Sequence, residues 1–270
     1  MKPFKTIFLT LAVIFSFTAC YKTPTEGFKV EGSIANIQDY PSNEVMVFLP
    51  GNNFNFKVKI SESKLSNNWF SLFLPYELKD KYCDAIDTKK YIFFNPEFES
   101  YLTISNKNVK ISDVWFNSNK EYNLNGNIMY FGYGEEYDYY NGAGYVTLVK
   151  TKYVYAQSAV SITGEYETRL NVIGEDLYKT VKMDLFLQKG WNIIYYIGSY
   201  TSKPNTSFWD LDTSIVKITA EKPENIELKW YYCSFNDLDI VRFLRDNSDA
   251  KFMYMPFMIF YYEDFILTTF

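Results

Sequence analysis

The chain has 270 residues, with 27 Lys and Arg against 32 Asp and Glu, and no histidine. The missing imidazole removes the commonest general base and metal ligand, and with it every Ser-His or Cys-His device. Cys20, Cys83 and Cys233 are too few for a cysteine-rich zinc site, and an acidic balance gives no footprint for nucleic acid.

Residues 1–19 divide into the parts of a secretory leader. Lys2 and Lys5 give a positive start, Ile7 to Phe17 is apolar apart from Thr10 and Ser16, and Thr18-Ala19 supplies small residues at a cleavage site. The apolar run is about eleven residues, roughly 16 Å of helix, which is short of a ~30 Å hydrocarbon core. It reads as a signal core and not as a permanent span. Phe17-Thr18-Ala19-Cys20 resembles the lipobox of bacterial lipoproteins, in which a cysteine after a small residue becomes the acylated N-terminus. The resemblance implies that Cys20 carries the lipid and that the membrane is a partner through that anchor. An ordinary signal peptide cut nearby is the alternative. Each buried acyl methylene contributes about 0.8 kcal/mol, so a multiply acylated cysteine holds stably. Residues 20–27, polar and containing Pro24 and Gly27, read as a short linker. Tyr21 stands where inner-membrane lipoproteins often carry Asp, which favours the outer membrane and leaves the leaflet open.

Losing Lys2 and Lys5 with the leader reduces 27 basic residues to 25, against 32 acidic, a net of −7. The remaining body is rich in rings, with 25 Tyr, 24 Phe and 5 Trp in the whole chain. Aromatics pack well on pleated, half-buried surfaces, so a β-rich domain is expected. Sugar-binding surfaces are the other use of such rings.

In residues 28–112, Phe28-Lys29-Val30-Glu31-Gly32-Ser33-Ile34 alternates as a half-buried strand should. Val45 to Leu49 is a continuous apolar run stopped by Pro50-Gly51, which predicts a strand covered on both faces. Phe54, Phe56, Val58 and Ile60 keep a period of two, and Trp69 to Leu74 is a short strand ending at Pro75. This order resembles the small β-sandwiches of the transthyretin-like, carboxypeptidase-regulatory type, with Asn67-Asn68 where that family usually has Gly. The resemblance implies a module that presents or connects other domains.

Residues 113–232 carry a second set of strands. Lys152 to Ala156 and Ala159 to Thr163 are apolar-rich and end at Gly164. Val181, Met183, Leu185 and Leu187 alternate with Lys182, Asp184 and Phe186. Lys189-Gly190 then predicts a hairpin turn into Trp191, Ile193, Tyr195 and Ile197. Ile226, Leu228 and Trp230 suggest a last strand. The Tyr153–Gly164 stretch and Lys189-Gly190-Trp191-Asn192 resemble segments of uncharacterised exported lipoproteins of the Bacteroidota type, a resemblance that implies location and architecture and transfers no active-site residue. The tail, residues 233–270, is left open between a terminal strand pair and a poorly ordered end. Cys83 and Cys233 read as two separate buried thiols, with a disulfide as the alternative in an oxidising compartment.

The most distinctive candidate site is the acidic, tyrosine-rich stretch Gly134 to Gly142. Glu135, Glu136 and Asp138 offer carboxylates, and Tyr139 and Tyr140 offer rings for a sugar or protein partner. The same stretch reads as a plain hairpin tip with solvated acids, and three carboxylates could also hold Ca²⁺, although no EF-hand spacing is present. Trp69, Trp191 and Trp230 are expected to fill the core, whereas Trp209 is the tryptophan expected to be exposed. No cofactor motif, nucleophile elbow or phosphate loop is found.

The expected fold class is all-β, with two consecutive antiparallel β-sandwich-like domains after a lipoprotein signal peptide. The expected function is non-enzymatic: a membrane-anchored envelope module that binds or presents, with a glycan or another envelope protein as partner. A carbohydrate-active enzyme or accessory subunit, and an adhesin- or pilus-like assembly part, are the alternatives.

Overall fold

The computed structural model describes residues 26–35, 37–40, 42–49, 58–88, 100–117, 127–138, 143–172, 175–202 and 211–233. The leader with Cys20, Phe54 and Phe56, and the tail from 234 onward lie outside the described residues. The strands are β1 (Phe28–Ser33), β2 (Glu44–Leu49), β3 (Val58–Lys64), β4 (Trp69–Leu74), β5 (Asp84–Ala85), β6 (Leu102–Ile104), β7 (Lys110–Asp113) and β8 (Trp115–Asn117). They continue with β9 (Asn127–Asp138), β10 (Ala143–Ala156), β11 (Val160–Val172), β12 (Glu175–Leu187), β13 (Gly190–Ser202), β14 (Leu211–Thr219) and β15 (Lys229–Cys233). Single 3-10 turns at Ile37–Asp39, Asp80–Tyr82 and Ile86–Thr88 complete the described elements. The fold is all-β.

β1 and β4 form a two-stranded ribbon, and the other strands share one sheet. Its main path runs β3-β2-β8-β9-β10-β13-β14-β12-β11-β6, with β15 on β9 and β7 on β10. Among the described strands every ladder is antiparallel except β12 with β14, and an isolated parallel bridge joins Ile34 to Trp230. The sheet is rolled. Val154 and Ala156 of β10, Val160 and Ile162 of β11, Val181, Met183, Leu185 and Leu187 of β12, Ile194 of β13 and Val216 of β14 meet in one buried cluster with Ile86, Val109 and Ile111. Ala156 and Val160 are four residue steps apart, at most about 15 Å, whereas β10 and β11 stand four places apart in the path, roughly 19 Å on a flat sheet, so the sheet curls back on itself.

This geometry corrects the expected hairpin at Lys189-Gly190. β12 and β13 do not pair with each other; β14 lies between them, bonded to both. Alternation along a strand fixes which residues face the core, but not which strand lies alongside. The side chain of Asn192 supplies bonds that a hairpin ladder would otherwise make. Its Oδ1 accepts from the Gln188 N–H at 2.9 Å, and its Nδ2 donates to the carbonyls of Gln188 (2.9 Å) and Gly190 (3.0 Å). Gly190 sits at φ +100°, a conformation open to glycine. The strands flanking Gly164 are also longer than the sequence suggests, because β11 runs through it to Val172. Gly164 allows the edge strand β6 to close in: a Cβ there would meet the Tyr101 carbonyl oxygen at 2.3 Å.

A second core lies on the opposite face of β10 and β13. Tyr153 and Tyr155 point away from Val154 and Ala156, and join Val30, Val45, Val47, Leu49, Ile60, Phe70, Leu72, Leu74 and Phe116. β10 is therefore covered on both sides, which is why Tyr153 to Ala156 has no polar break. β2 is enclosed in the same way from Val45 onward. The expected division near residue 112 coincides with no break in the sheet. It falls inside β7, β2 pairs with β8, and the second core draws residues from both sides of the division.

Trp230 is the centre of that second core. It is buried to 3%, with the rings of Phe70 (5.1 Å), Phe116 (4.9 Å), Tyr130 (4.9 Å) and Tyr153 (6.0 Å) around it. Its Nε1–H donates to the Glu31 carbonyl at 3.3 Å, and its carbonyl accepts from the Ala35 N–H at 2.8 Å. Gly32 lies directly under the indole: a Cβ at this position would stand 2.4 Å from its Cδ1. The glycine that the first strand carries is thus a seat for a ring from the other end of the chain.

Trp230→Ala should cost about 3–5 kcal/mol of unfolding free energy, as removal of a large core ring does. Gly32→Ala should cost roughly 1–3 kcal/mol by overpacking. Urea unfolding followed by circular dichroism checks both, and the double variant should lose less than the sum because one contact is removed twice. Additive losses would mean that the two positions act independently.

Candidate ligand-binding surface

The structure redistributes the residues singled out from sequence. Glu135, Glu136 and Asp138 are not in a loop. They lie in β9, laddered to β10 through Glu135↔Val146, Glu136↔Tyr145 and Asp138↔Ala143. Tyr139 and Tyr140, between the two strands, and Trp209 lie outside the described residues. Among the described residues, no group of three or more Cys, Asp or Glu side chains is placed to hold a metal ion. Cys83 is buried and forms no disulfide among the described residues.

Of the three tryptophans expected in the core, Trp230 is there and Trp191 is half-buried against it. The Trp191 indole N–H donates to the Pro75 carbonyl at 2.7 Å, and its ring meets Tyr155 edge-on at 5.3 Å. The Lys189-Gly190-Trp191-Asn192 motif is thus consumed in scaffold contacts. Trp69 is the correction: it is 48% exposed. In β4 the inward set is Phe70, Leu72 and Leu74, which leaves Trp69 and Ser71 facing solvent. Ser71 between the apolar residues is the sequence signal that points to this parity.

Trp69 is held by a rigid turn. Asn67 and Asn68 have φ of 51° and 68°, and Ser66 and Trp69 exchange both backbone hydrogen bonds across them at 2.9 and 3.0 Å. Two consecutive left-handed residues form the type I′ turn that suits the twist of a two-residue hairpin, and Asn tolerates this conformation best after Gly. Asn67-Asn68 therefore does what the expected glycine would do. The Asn68 carbonyl also accepts from the Ile34 N–H at 3.0 Å, which pins the turn to the end of β1. Past the turn, β3 and β4 part. They are stitched through side chains, Ser61 Oγ donating to the Phe73 carbonyl at 2.8 Å and Ser63 Oγ accepting from the Ser71 N–H at 3.3 Å.

The solvent face of the β1–β4 ribbon is a small mixed surface. Register sets Trp69 opposite Ser33 and Ser71 opposite Glu31. Lys29 and Glu31 form an exposed ion pair at 2.7 Å on the same strand. An indole plane, two hydroxyls, a carboxylate and an ammonium thus stand within one short ribbon. Such a surface can stack on an apolar face while bonding to hydroxyl groups. No family model, curated protein or solved structure matches the chain.

The buried tyrosines serve the scaffold. Desolvation pushes the phenols of Tyr40, Tyr130, Tyr153, Tyr155 and Tyr195 above their ordinary value, and Tyr166 up to about 12. Tyr40 is further raised by neighbouring Tyr232 and Glu44, and donates its hydroxyl to the Glu44 carbonyl at 2.7 Å. Asp80 is held below the usual carboxylate range by hydrogen bonds from Lys110 and Gln157, which tie the Asp80–Tyr82 turn to β7 and to the β10–β11 connection.

Two expectations follow for stability. Trp69→Ala should change unfolding free energy by no more than about 0.5 kcal/mol. Asn68→Val, forcing a β-branched residue to positive φ, should cost roughly 1–2 kcal/mol, and Asn68→Gly should be tolerated. Denaturant curves on the three variants separate a surface ring from a structural turn. At high pH the sign is also fixed. A folded phenol at about 12 against an unfolded one at 10.0 favours the folded state below pH 10, and that contribution is lost as pH rises from 10 toward 12. Phenolate absorbance of these buried rings should therefore appear together with the loss of the β-sheet circular dichroism signal. Complete ionisation before unfolding would contradict their burial.

Proposed function

We propose that this chain is a lipid-anchored binding module of the cell envelope, and that the solvent face of the β1–β4 ribbon, centred on Trp69, contacts a glycan. The observation that carries the reading is the exposed indole of Trp69 on a preformed turn, beside Ser33, Ser71 and Glu31. A ring held in place before binding loses little entropy on contact, and its flat face suits the C–H face of a sugar. The flanking hydroxyls and carboxylate then supply hydrogen bonds to sugar hydroxyls. The leader and the lipobox-like Phe17 to Cys20 support the anchor and, with Tyr21, the outer membrane as its site. Nothing in this reading calls for turnover of the glycan; a carbohydrate-active enzyme remains the alternative tested by the same substrates.

An assembly role would use a free strand edge. On the side of β11 that meets β6, pairing ends at Gly164, so the backbone from Glu165 to Val172 has no strand partner there among the described residues. Glu165 and Glu167 are exposed at the start of that stretch, and charges of this kind guard edges against added strands. The ribbon face is the better-supported contact.

The mature chain should bind members of an envelope or dietary polysaccharide array. Trp69→Ala should weaken that binding by roughly tenfold, equivalent to about 1.4 kcal/mol, with stability unchanged. Calorimetry on a hit from the array checks the magnitude. Binding that ignores Trp69→Ala, Ser33→Ala and Glu31→Gln together would put the contact elsewhere, and hydrolysis of the bound glycan would replace binding with catalysis.

A further inference from the structure

We infer that the corner where β1 begins and β4 ends is a membrane-apposed surface, with Tyr76 reaching the lipid headgroup layer. This rests on the lipid anchor proposed at Cys20 and adds an orientation to it. From Cys20 to Gly27 the chain has seven residue steps, which span at most about 25 Å even when fully extended. The far end of that leash is fixed in space. Gly27 packs so closely on β4 that a Cβ would stand 1.9 Å from the Leu74 carbonyl oxygen and 3.5 Å from the Pro75 Cα. Phe28 then pairs with Leu74 as the first rung of the ribbon.

The surface beside this point is suited to a bilayer interface. Tyr76, two residues beyond Leu74, is 67% exposed, the highest exposure among the large hydrophobic side chains of the described residues. It cannot retreat easily, because the carbonyl of the preceding Pro75 is held by the Trp191 indole. Tyrosine is at home at a lipid–water boundary, with an apolar ring and a hydroxyl that stays hydrated. The adjacent Glu77 lies 4.0 Å from Lys189, a pair of opposite signs. With no charge of one sign alone beside Tyr76 in this pair, the contact is expected on neutral as well as anionic lipid. Trp69 stands at the other end of the same ribbon, five rungs or about 17 Å away. The ring proposed to bind ligand thus lies at the end of the ribbon opposite the one that is tied down.

The experiment compares the acylated chain with Cys20→Ser protein, each mixed with phosphatidylethanolamine–phosphatidylglycerol vesicles and with neutral phosphatidylcholine vesicles. Flotation reads anchoring. Hydroxyl-radical labelling, read residue by residue by mass spectrometry, reports exposure of Tyr76 and Trp69. The expected result is flotation of the acylated chain alone on both vesicle types, with a severalfold drop in Tyr76 labelling and unchanged Trp69. Inserting a Gly-Ser stretch between Thr23 and Pro24 should restore Tyr76 labelling without loss of flotation. An acylated chain that floats while Tyr76 stays as reactive as in Cys20→Ser, or while Trp69 is shielded instead, overturns the orientation and leaves the anchor standing. Absence of flotation in the acylated chain overturns the anchor, and the orientation with it.

Discussion

The indole of Trp230 over Gly32 is the contact on which the rest of the structure depends. It joins residues 199 positions apart through a ring seat, a bond to the Glu31 carbonyl, and the backbone bond to Ala35. Around it, rings from β4, β8, β9 and β10 pack edge-on, tilted or stacked, so five strands from both ends of the chain share one aromatic centre. Each aromatic pair adds about 0.5–1.5 kcal/mol beyond its buried area. The small ribbon of β1 and β4 would be marginal alone, since two strands rarely persist in water. It is stable because one of its faces closes over this cluster. The rigidity of the ribbon's other face, where Trp69 sits, is therefore set by a tryptophan on the far side of it.

The second organising constraint is that β10 and β13 are walls between two cores. Val154, Ala156, Ile194 and Tyr196 serve the rolled sheet, while Tyr153, Tyr155, Trp191 and Ile193 serve the aromatic core behind it. A strand covered on both faces cannot show clean alternation, and the run Tyr153-Val154-Tyr155-Ala156 does not. The outer wall, β12, is covered on one face, with Phe186 left 56% exposed on the other, and its alternation is plain. The contrast between the two sequence patterns thus maps directly onto position in the fold.

That contrast also marks what can be read from sequence and what cannot. The strands at Val45–Leu49, Trp69–Leu74 and Val181–Leu187 were legible because period and length report local burial. Their partners were not. The turn at Gln188-Lys189-Gly190 looks like a hairpin from either side, and only the arrival of β14, over twenty residues later, separates the two strands. The stretch at Glu135 to Asp138 reads as a loop because acids dominate it and Gly134 precedes it. It is a strand because β10 supplies a ladder for its backbone, a non-local effect that overrides weak β-propensity. Trp69 is expected in the core because it sits in an alternating strand, but it shares the parity of Ser71, which faces solvent.

Several residues that stand out as motifs are explained by architecture alone. Gly164 lets β6 approach, Gly190 takes a left-handed turn, Asn192 replaces ladder bonds, and Trp191 clamps Pro75. Each of these removes a reason to look for chemistry at that position. What remains unspent by the scaffold is a short series of exposed rings, of which Trp69 and Tyr76 flank the same strand at opposite ends. A ribbon braced along its inner face transmits position without bending, so fixing one end fixes where the other points. If Cys20 carries the proposed lipid, the ribbon that brings Tyr76 toward the bilayer sets Trp69 at its opposite end. The anchor and the contact surface are then two ends of one rigid element.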